Sequence, residues 1–237
     1  MNFSYKIKRF FRNIALENLM TYIAASMAII FVGDLFTEGM LSSFLSFNRA
    51  AILEGQVWRI ITFLMLPQTG DPLWIVFSVY FYYMIGKAVE NEWGSHNLTM
   101  YFLLGAVLLL ISGFVTGYTN ASYLYFSLFL VFAHLNPHHR FMMFFVIPIE
   151  AKWLALIDAV FMVWGFVQAF QYYFIMPMFA LGFQLSVFIA FLVYLIFFGK
   201  DHFGRFINRF KHRDFYREMR QNQIKMSRNE RDEDNDK

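Results

Sequence analysis

Long apolar runs separated by short polar breaks dominate the pattern along this chain. Six of them approach or reach the roughly 20 residues that an α-helix needs to cross a bilayer core. The predicted spans cover residues 20–36, 72–89, 98–115, 121–135, 153–174 and 178–198. At 1.5 Å per residue the sixth reaches about 31 Å and the fourth only about 22 Å. A span as short as the fourth lies either inside a helical bundle or where the bilayer is thinned.

The loop between the first two predicted spans, residues 37–71, is not simply polar. It mixes aromatic and aliphatic residues with isolated charges. This mixture is typical of short amphipathic helices that lie in the outer membrane interface, with Trp58 and Arg59 at the level of the headgroups. A re-entrant segment is the alternative interpretation of part of this loop.

The segment after the last span changes character twice. Phe203, Phe206, Ile207 and Phe210 recur at helical spacing among basic residues, which predicts a basic amphipathic helix on an anionic leaflet. Residues 227–237 contain no apolar side chain, which predicts disorder. The predicted organisation is a cytoplasmic segment 1–19, a membrane domain 20–198, a basic juxtamembrane segment 199–226 and a disordered charged tail 227–237.

Composition agrees with a membrane protein. The 237 residues are 58% hydrophobic, 21% aromatic and only 16% charged, whereas about a quarter of a soluble domain is charged. The chain has no cysteine, which excludes disulfides and thiolate zinc sites. No small-residue cleavage site follows the first apolar run, so we expect that span to be retained. We expect no cofactor and no nucleic-acid partner.

The distribution of lysine and arginine predicts the orientation. With six spans both termini share one side of the membrane, and that side collects eighteen of the twenty basic residues. Only Arg49 and Arg59 fall on the opposite side. Because cytoplasmic loops are enriched in Lys and Arg, we expect both termini to be cytoplasmic. The sequence carries no organelle signal, so a bacterial plasma membrane is the expected location, although the same topology suits the endoplasmic reticulum.

A polar stretch, "GKAVENEWGS" at residues 86–95, interrupts the apolar pattern after the second span. It contains Gly86, Glu90 and Gly94 at four-residue spacing, and a Trp-Arg pair, Trp58–Arg59, precedes it in the outer loop. Together with the span pattern, these residues resemble the rhomboid superfamily. The resemblance covers about residues 55–198 and implies a six-helix bundle with an amphipathic first outer loop. We expect residues 86–95 to be a cytoplasmic turn, in which Glu90 bonds neighbouring backbone and the glycines permit tight turning.

The same resemblance raises the question of proteolysis within the membrane. In active rhomboids a serine in a Gly-x-Ser-Gly motif at the start of span four pairs with a histidine on span six, because a serine hydroxyl needs a nearby base. Here Ser122 is the nearest serine, but Asn120 and Tyr123 replace the glycines, and Phe183 falls at the position of the base. The positions of the oxyanion His and Asn on span two hold Trp74 and Ser78. We expect no catalytic dyad, and Ser122 is expected to be a helix N-cap.

The expected role of the remaining small and polar residues is packing or client contact. Small residues allow close helix approach at Gly113 and Gly117 on span three and at Gly182, Ser186 and Ala190 on span six. Asp158 and Gln184 are polar within spans five and six. Either they are structural, with Asp158 reaching water, or they line a hydrated groove that binds clients. His134 and His138 have the spacing of a helical metal pair, but Pro137 interrupts it, so no metal site is expected.

Three function classes follow. The leading hypothesis is a catalytically inactive, derlin-like rhomboid relative that binds transmembrane clients laterally and thins the bilayer, in membrane-protein quality control or trafficking. Its expected partners are membrane lipids, client helices and a cytoplasmic protein recruited by the C-terminal tail. The second is a rhomboid-type serine protease with an unconventional site. The third, a transporter, lacks the inverted repeats typical of such proteins.

Overall fold

Helices form almost all of the regular structure in the computed structural model, which describes residues 16–67, 71–143 and 147–199. The juxtamembrane segment 199–226 beyond its first residue, the tail 227–237 and most of the N-terminal segment lie outside the described residues. The long helices are α1 (Leu19–Thr37), α5 (Pro72–Trp93), α6 (Ser95–Thr116), α8 (Ala151–Gln168) and α9 (Pro177–Gly199). A shorter helix, α7 (Ser122–Leu135), lies between α6 and α8 in sequence.

The outer loop forms short helices, as the sequence predicts. They are α2 (Met40–Leu45), α3 (Arg49–Leu53) and α4 (Arg59–Thr62), and a 3₁₀ turn at Phe63–Met65 follows. Asn48 caps α3, because its side-chain oxygen accepts the Ala51 N–H at 3.1 Å. A second 3₁₀ turn, Ala169–Tyr172, extends α8.

Four of the described helices are long and apolar enough to cross a membrane. These are α1, α6, α8 with its 3₁₀ extension, and α9. The protein is therefore a multi-pass membrane protein with a helical membrane domain. Helix α5 has 22 residues, like α6, but carries Lys87, Glu90 and Glu92 in its last turns. Helix α7 has 14 residues and covers only about 21 Å.

The short helix α7 is the most deeply packed of these elements. Ten of its fourteen residues are buried, including Ser127 in its centre. The Tyr101 hydroxyl of α6 donates to Ser127 Oγ at 2.6 Å, and Ser127 Oγ donates to the Leu124 carbonyl. Packing against its neighbours explains why a helix this short is stable here.

Two glycines position α1 and α7 against their neighbours. A Cβ at Gly86 would lie 2.2 Å from Met20 Cγ, so α1 and α5 pack closely at this point. A Cβ at Gly105 would lie 2.5 Å from Leu124 Cδ1, so α6 approaches α7 in the same way. Both glycines act through their lack of a side chain inside a helix rather than through a turn.

A β-hairpin was not predicted from the sequence. Strand β1 (Arg140–Met143) pairs antiparallel with β2 (Ile147–Glu150), with Arg140 opposite Glu150. The hairpin joins α7 to α8, and the Ala151 N–H donates to the His139 carbonyl at 2.8 Å. Phe141 packs its ring on Phe129 and Phe132 of α7, with centroids 6.2 and 5.5 Å apart. Contacts between residues divide the chain into two compact units, with the boundary after Tyr194. Of the second unit, the structure describes residues 195–199, which form the end of α9.

Candidate functional site

The polar stretch at residues 86–95 is helical over most of its length. Helix α5 continues to Trp93, and only Gly94, with φ of 89°, makes the turn into α6. The prediction that the whole stretch is a turn is therefore wrong. No residue between Gly86 and Trp93 prevents a helix, and the close contact of Gly86 with Met20 favours the helical conformation over a turn.

Glu90 ties three segments together at this end of the helices. Its Oε1 accepts the Asn18 N–H at 2.6 Å and the Ser95 hydroxyl at 2.7 Å. The Lys87 ammonium donates to Asn18 Oδ1, so the same short segment before α1 is held twice. Glu90 does bond a backbone N–H, but that of Asn18, 72 residues away, rather than the neighbouring backbone that the sequence predicted.

Arg59 connects segments of the outer loop through hydrogen bonds. It is buried, and its guanidinium donates to the carbonyls of Ser43 and Ser46 at 2.9 and 2.6 Å. A third bond goes to Gln56 Oε1 at 2.7 Å. Trp58 is partly exposed and packs on Phe44, with ring centroids 5.2 Å apart. Arg59 therefore bonds the backbone of the outer loop, and its predicted place at headgroup level stays a prediction.

The small residues of span six pack as predicted. A Cβ at Gly182 would lie 2.6 Å from both Thr116 Oγ1 and the Tyr118 carbonyl oxygen. Ser186 is fully buried, and its Oγ accepts the Asn120 N–H at 3.2 Å, just before α7. Ala190 lies in a core cluster with Tyr123 and Leu130 of α7. These three positions bring α9 against α7 and the α6–α7 connection.

The small residues of span three do not form a helix-packing face. A Cβ at Gly113 would lie 2.7 Å from the Phe47 ring, so this glycine accommodates the outer loop. Gly117 ends α6 with φ of 80°, and its N–H donates to the Gly113 carbonyl. The predicted Gly-x-x-x-Gly helix contact is therefore wrong. A sequence motif does not show that its second glycine is a helix C-cap.

Ser122 is the first residue of α7 and its hydroxyl is bonded to an amide. Both its backbone N–H and its Oγ donate to Asn120 Oδ1, at 2.8 and 2.6 Å. The N-cap residue of α7 is Ala121, so Ser122 is not the helix N-cap that the sequence predicted. The side chain that accepts a backbone N–H of this first turn is that of Asn120. An amide oxygen accepts a hydrogen bond but is not a base at neutral pH.

Aromatic rings surround the beginning of α7. Tyr123 packs edge-on against Phe183 of α9 with centroids 5.3 Å apart, and Tyr118 packs on Phe179 at 4.4 Å. Burial raises the pKa of Tyr118, so its phenol keeps its proton at neutral pH. The position at which sequence reasoning placed the missing base is therefore part of an apolar aromatic cluster.

The described histidines lie far from Ser122 along their helices. His134 is twelve residues further along α7, about 18 Å away, and His138 and His139 follow it. His96 lies in the first turn of α6, about 30 Å along the helix axis from the end that leads towards Ser122. Among the residues that the structure describes, no group of three or more His, Asp and Glu side chains is close enough to hold a metal ion.

The two polar residues expected to line a client groove differ in their surroundings. Gln184 is buried, and its side-chain amide donates to the Phe166 carbonyl of α8 at 3.3 Å. Asp158 is half-buried, and its Oδ2 is buried without a hydrogen-bond partner. Gln184 therefore connects α8 to α9, whereas Asp158 has no such structural bond.

The remaining face of α8 is open. Only 11% of the membrane-spanning window in α8 and its 3₁₀ extension is buried, against 50% for α6. Large apolar side chains are exposed along this helix: Trp153, Leu156, Ile157, Val160, Phe161, Val163, Trp164 and Val167. The helix that carries Asp158 thus offers a long lateral surface to lipid or to another helix.

The connection between α7 and α8 carries charge where α8 begins. The Lys152 ammonium pairs with Glu150, and His138 Nδ1 lies 3.7 Å from the same carboxylate. The hydrogen bond from Lys152 lowers the pKa of Glu150, and the charges of Lys152, His138 and Arg140 add to the effect. Lys152 also lies 5.7 Å from the ring centroid of Trp153, so charge and an aromatic ring meet where α8 begins.

No protein-family model matches the chain, and no curated protein matches it significantly.

Proposed function

We propose that this protein is a catalytically inactive, rhomboid-like membrane protein that binds transmembrane client helices laterally without cutting them. The observation that carries the proposal is the environment of Ser122: its hydroxyl is bonded to the Asn120 amide, and the neighbouring Tyr123 faces Phe183. A serine nucleophile needs a base within hydrogen-bond reach. The nearest described histidine on the same helix is His134, about 18 Å along its axis.

The proposed architecture is a six-crossing bundle with both termini in the cytoplasm. Support comes from the two further helices, α5 and α7, that accompany the four long apolar ones. Two residues of the motifs behind the rhomboid resemblance also make long-range hydrogen bonds. Arg59 bonds the backbone of the outer loop, and Glu90, near the end of α5, bonds the segment before α1 and the start of α6. A bacterial plasma membrane remains the proposed location, and the tail's cytoplasmic partner remains a proposal from sequence.

Lateral binding is supported by the open face of α8. Contacts between transmembrane helices come from close packing and polar bonds rather than from the hydrophobic effect. A helix that is 11% buried and carries a buried polar atom without a partner has both kinds of contact available. Membrane-protein quality control or trafficking is the class of process that would use such a surface.

Thinning of the bilayer is proposed to depend on the outer loop. Helix α7 is short, but it is buried among its neighbours and touches little lipid. We therefore assign the lipid contacts that thin the bilayer to the short outer-loop helices α2, α3 and α4. Met40 and Phe44 of α2 and Leu53 of α3 have exposed apolar side chains. Short amphipathic helices of this kind lie in the interface, where they displace headgroups and acyl chains.

The alternative is a rhomboid-type intramembrane serine protease with an unconventional site. The observation that favours it is the position of Ser122 in the first turn of α7. It requires a base that replaces the missing histidine.

The experiment is incubation of the purified protein in liposomes with a panel of transmembrane peptides, beside Ser122→Ala and a known active rhomboid. A fluorophosphonate probe is added in parallel. We expect neither cleavage nor labelling by the protein while the active rhomboid shows both. Cleavage and labelling that disappear in Ser122→Ala would establish the alternative.

A further inference from the structure

One acidic side chain stands alone in the last two spans. Asp158 is the only Asp, Glu, Lys or Arg between Lys152 and Lys200. It follows Lys152 by six residues, which places it about 9 Å further along the axis of α8. A charged group at such a depth is expensive, so it requires either a partner or a function.

The other carboxylate within a long apolar helix already has partners. Asp34 of α1 accepts the Ser42 N–H at 2.9 Å through Oδ1, and its Oδ2 accepts the Ser42 hydroxyl. Asp158 Oδ2 is hidden from solvent and has no hydrogen-bond partner among the described residues. The contrast shows that Asp158 does not serve the local structure in the way that Asp34 does.

The position of Asp158 on α8 is at the border between the buried and the open face. Ala155 and Ala159 pack against the core cluster around Tyr123 and Met162. Ile157 and Phe161, on the other side, are 50% and 65% exposed. The half-buried Asp158 lies between the two sets, so a helix lying on the open face of α8 comes next to its partly exposed side chain, while Oδ2 itself is buried.

We propose that Asp158 is the contact point for a transmembrane helix that carries a lysine or arginine inside its apolar segment. The inference rests on the proposed function as a client-binding protein and names the chemical class of the client. Charge complementarity selects the occupant: a basic side chain within a span is as costly in lipid as Asp158, and pairing removes both costs. Long Lys and Arg side chains also extend along an apolar helix to reach a partner.

The depth of Asp158 sets the position of the client's basic residue. The matching lysine or arginine lies between one and two helical turns inside the apolar segment, counted from the membrane face at which Lys152 lies. A basic residue near the opposite face does not reach the carboxylate.

The test uses the full chain in lipid vesicles and three fluorescent transmembrane peptides. The first is a Leu/Ala helix with one lysine at the matching depth, the second has leucine there, and the third carries the lysine near the opposite face. Binding is measured by energy transfer to a dye on the protein, for wild type, Asp158→Asn, Asp158→Glu and Glu92→Gln. Glu92 is an exposed carboxylate at the end of α5 and controls for general negative charge.

Wild type is expected to bind the first peptide about threefold to fifteenfold more tightly than the second or third, the range found for polar contacts between membrane helices. Asp158→Asn loses this preference, while Asp158→Glu and Glu92→Gln keep it. Equal binding of the three peptides to wild type, or an unchanged preference in Asp158→Asn, overturns the inference but leaves client binding intact. Failure of wild type to bind any peptide contradicts the proposed function itself, and the inference with it.

A stability measurement separates this role from a purely structural one. Because Asp158 Oδ2 has no hydrogen-bond partner among the residues that the structure describes, Asp158→Asn is expected to unfold at the same or a higher temperature than wild type. A clear loss of thermal stability in Asp158→Asn would show that the carboxylate serves the fold, and would overturn the assignment.

Discussion

At the scale of single residues, two buried side chains hold together segments that are distant in sequence. Arg59 satisfies the Ser43 and Ser46 carbonyls of the outer loop, and Glu90 satisfies the Asn18 N–H and the Ser95 hydroxyl. Each side chain bonds groups on other parts of the chain, across 13 to 72 residues in its long-range bonds. The sequence motif identified both residues, but it did not reveal their partners, because those partners depend on how the chain folds back.

Replacing Arg59 tests the first of these ties. Arg59→Ala removes the guanidinium donor from both carbonyls, of which Ser43 keeps the Ser46 hydroxyl, and is expected to lower the free energy of unfolding by about 2–4 kcal/mol. Arg49→Ala is the matched control, since Arg49 is exposed and bonds only the ends of α6; its expected cost is about 1 kcal/mol or less. The measurement is thermal or denaturant unfolding in lipid nanodiscs, and equal losses in the two variants would contradict this role of Arg59.

Replacing Glu90 separates charge from hydrogen bonding. Glu90→Gln keeps an oxygen that accepts from Asn18 and Ser95 and is expected to cost about 1 kcal/mol, whereas Glu90→Ala is expected to cost about 2–3 kcal/mol. The two variants are compared by the same unfolding measurement. A glutamine variant as unstable as the alanine variant would show that the negative charge, and not the bonding, matters.

At the scale of elements, the apolar runs predicted the helices to within a few residues. Residues 20–36, for example, became Leu19–Thr37, and 178–198 became Pro177–Gly199. Hydrophobic length is a local property and is readable from sequence. The β-hairpin at 140–150 was not predicted, because four-residue strands are stabilised by pairing with each other and by the packing of Phe141 on α7. The predicted turn covered residues 86–95, whereas the observed turn is at Gly94. The helix before it packs on Met20, a contact between residues distant in sequence that the local pattern does not show.

Close packing of α9 makes a prediction about Gly182. A methyl group there meets the Tyr118 backbone carbonyl at 2.6 Å, which cannot move aside as a flexible side chain can. Gly182→Ala is therefore expected to lower the free energy of unfolding by about 1–3 kcal/mol. Gly199→Ala, where the nearest atom is 3.9 Å away, is the control and is expected to change stability by less than about 1 kcal/mol.

The charge cluster where α8 begins makes a prediction about pH. Because Lys152 lowers the pKa of Glu150 in the folded protein, this contact stabilises the fold above the ordinary carboxyl pKa and is lost as the pH falls through the lowered value. Lys152→Met is expected to raise the pKa of Glu150, as followed by the ¹³C shift of its carboxyl carbon during titration. An unchanged titration curve would show that the lysine does not govern this carboxylate.

At the scale of the whole molecule, the proposed six crossings predict alternate accessibility along the chain. The protein has no natural cysteine, so single cysteines report accessibility cleanly. Cysteines at Leu53, Tyr118 and Phe174 are expected to label from one side of the membrane, and cysteines at Glu92 and His138 from the other. Labelling of Glu92 and Leu53 from the same side would remove α5 from the set of crossings and with it the rhomboid-like topology.

The candidate site was only partly predictable at this scale. Sequence reasoning placed Ser122 and Phe183 near each other, and the structure brings Phe183 against the neighbouring Tyr123. It also named Asp158 and Gln184 together, although only Gln184 is bonded to another helix. Whether a polar side chain is satisfied depends on contacts across helices, which apolar periodicity does not contain.

The central claim is that the protein holds transmembrane helices without cutting them, and one measurement tests both parts. A photoreactive group is placed at Phe161 on the open face of α8, and the protein is illuminated in vesicles with a labelled transmembrane peptide. The account predicts a crosslinked product, while the peptide that is not crosslinked keeps its full mass after long incubation. Absence of any crosslink at Phe161, or recovery of peptide fragments that depend on Ser122, would contradict it.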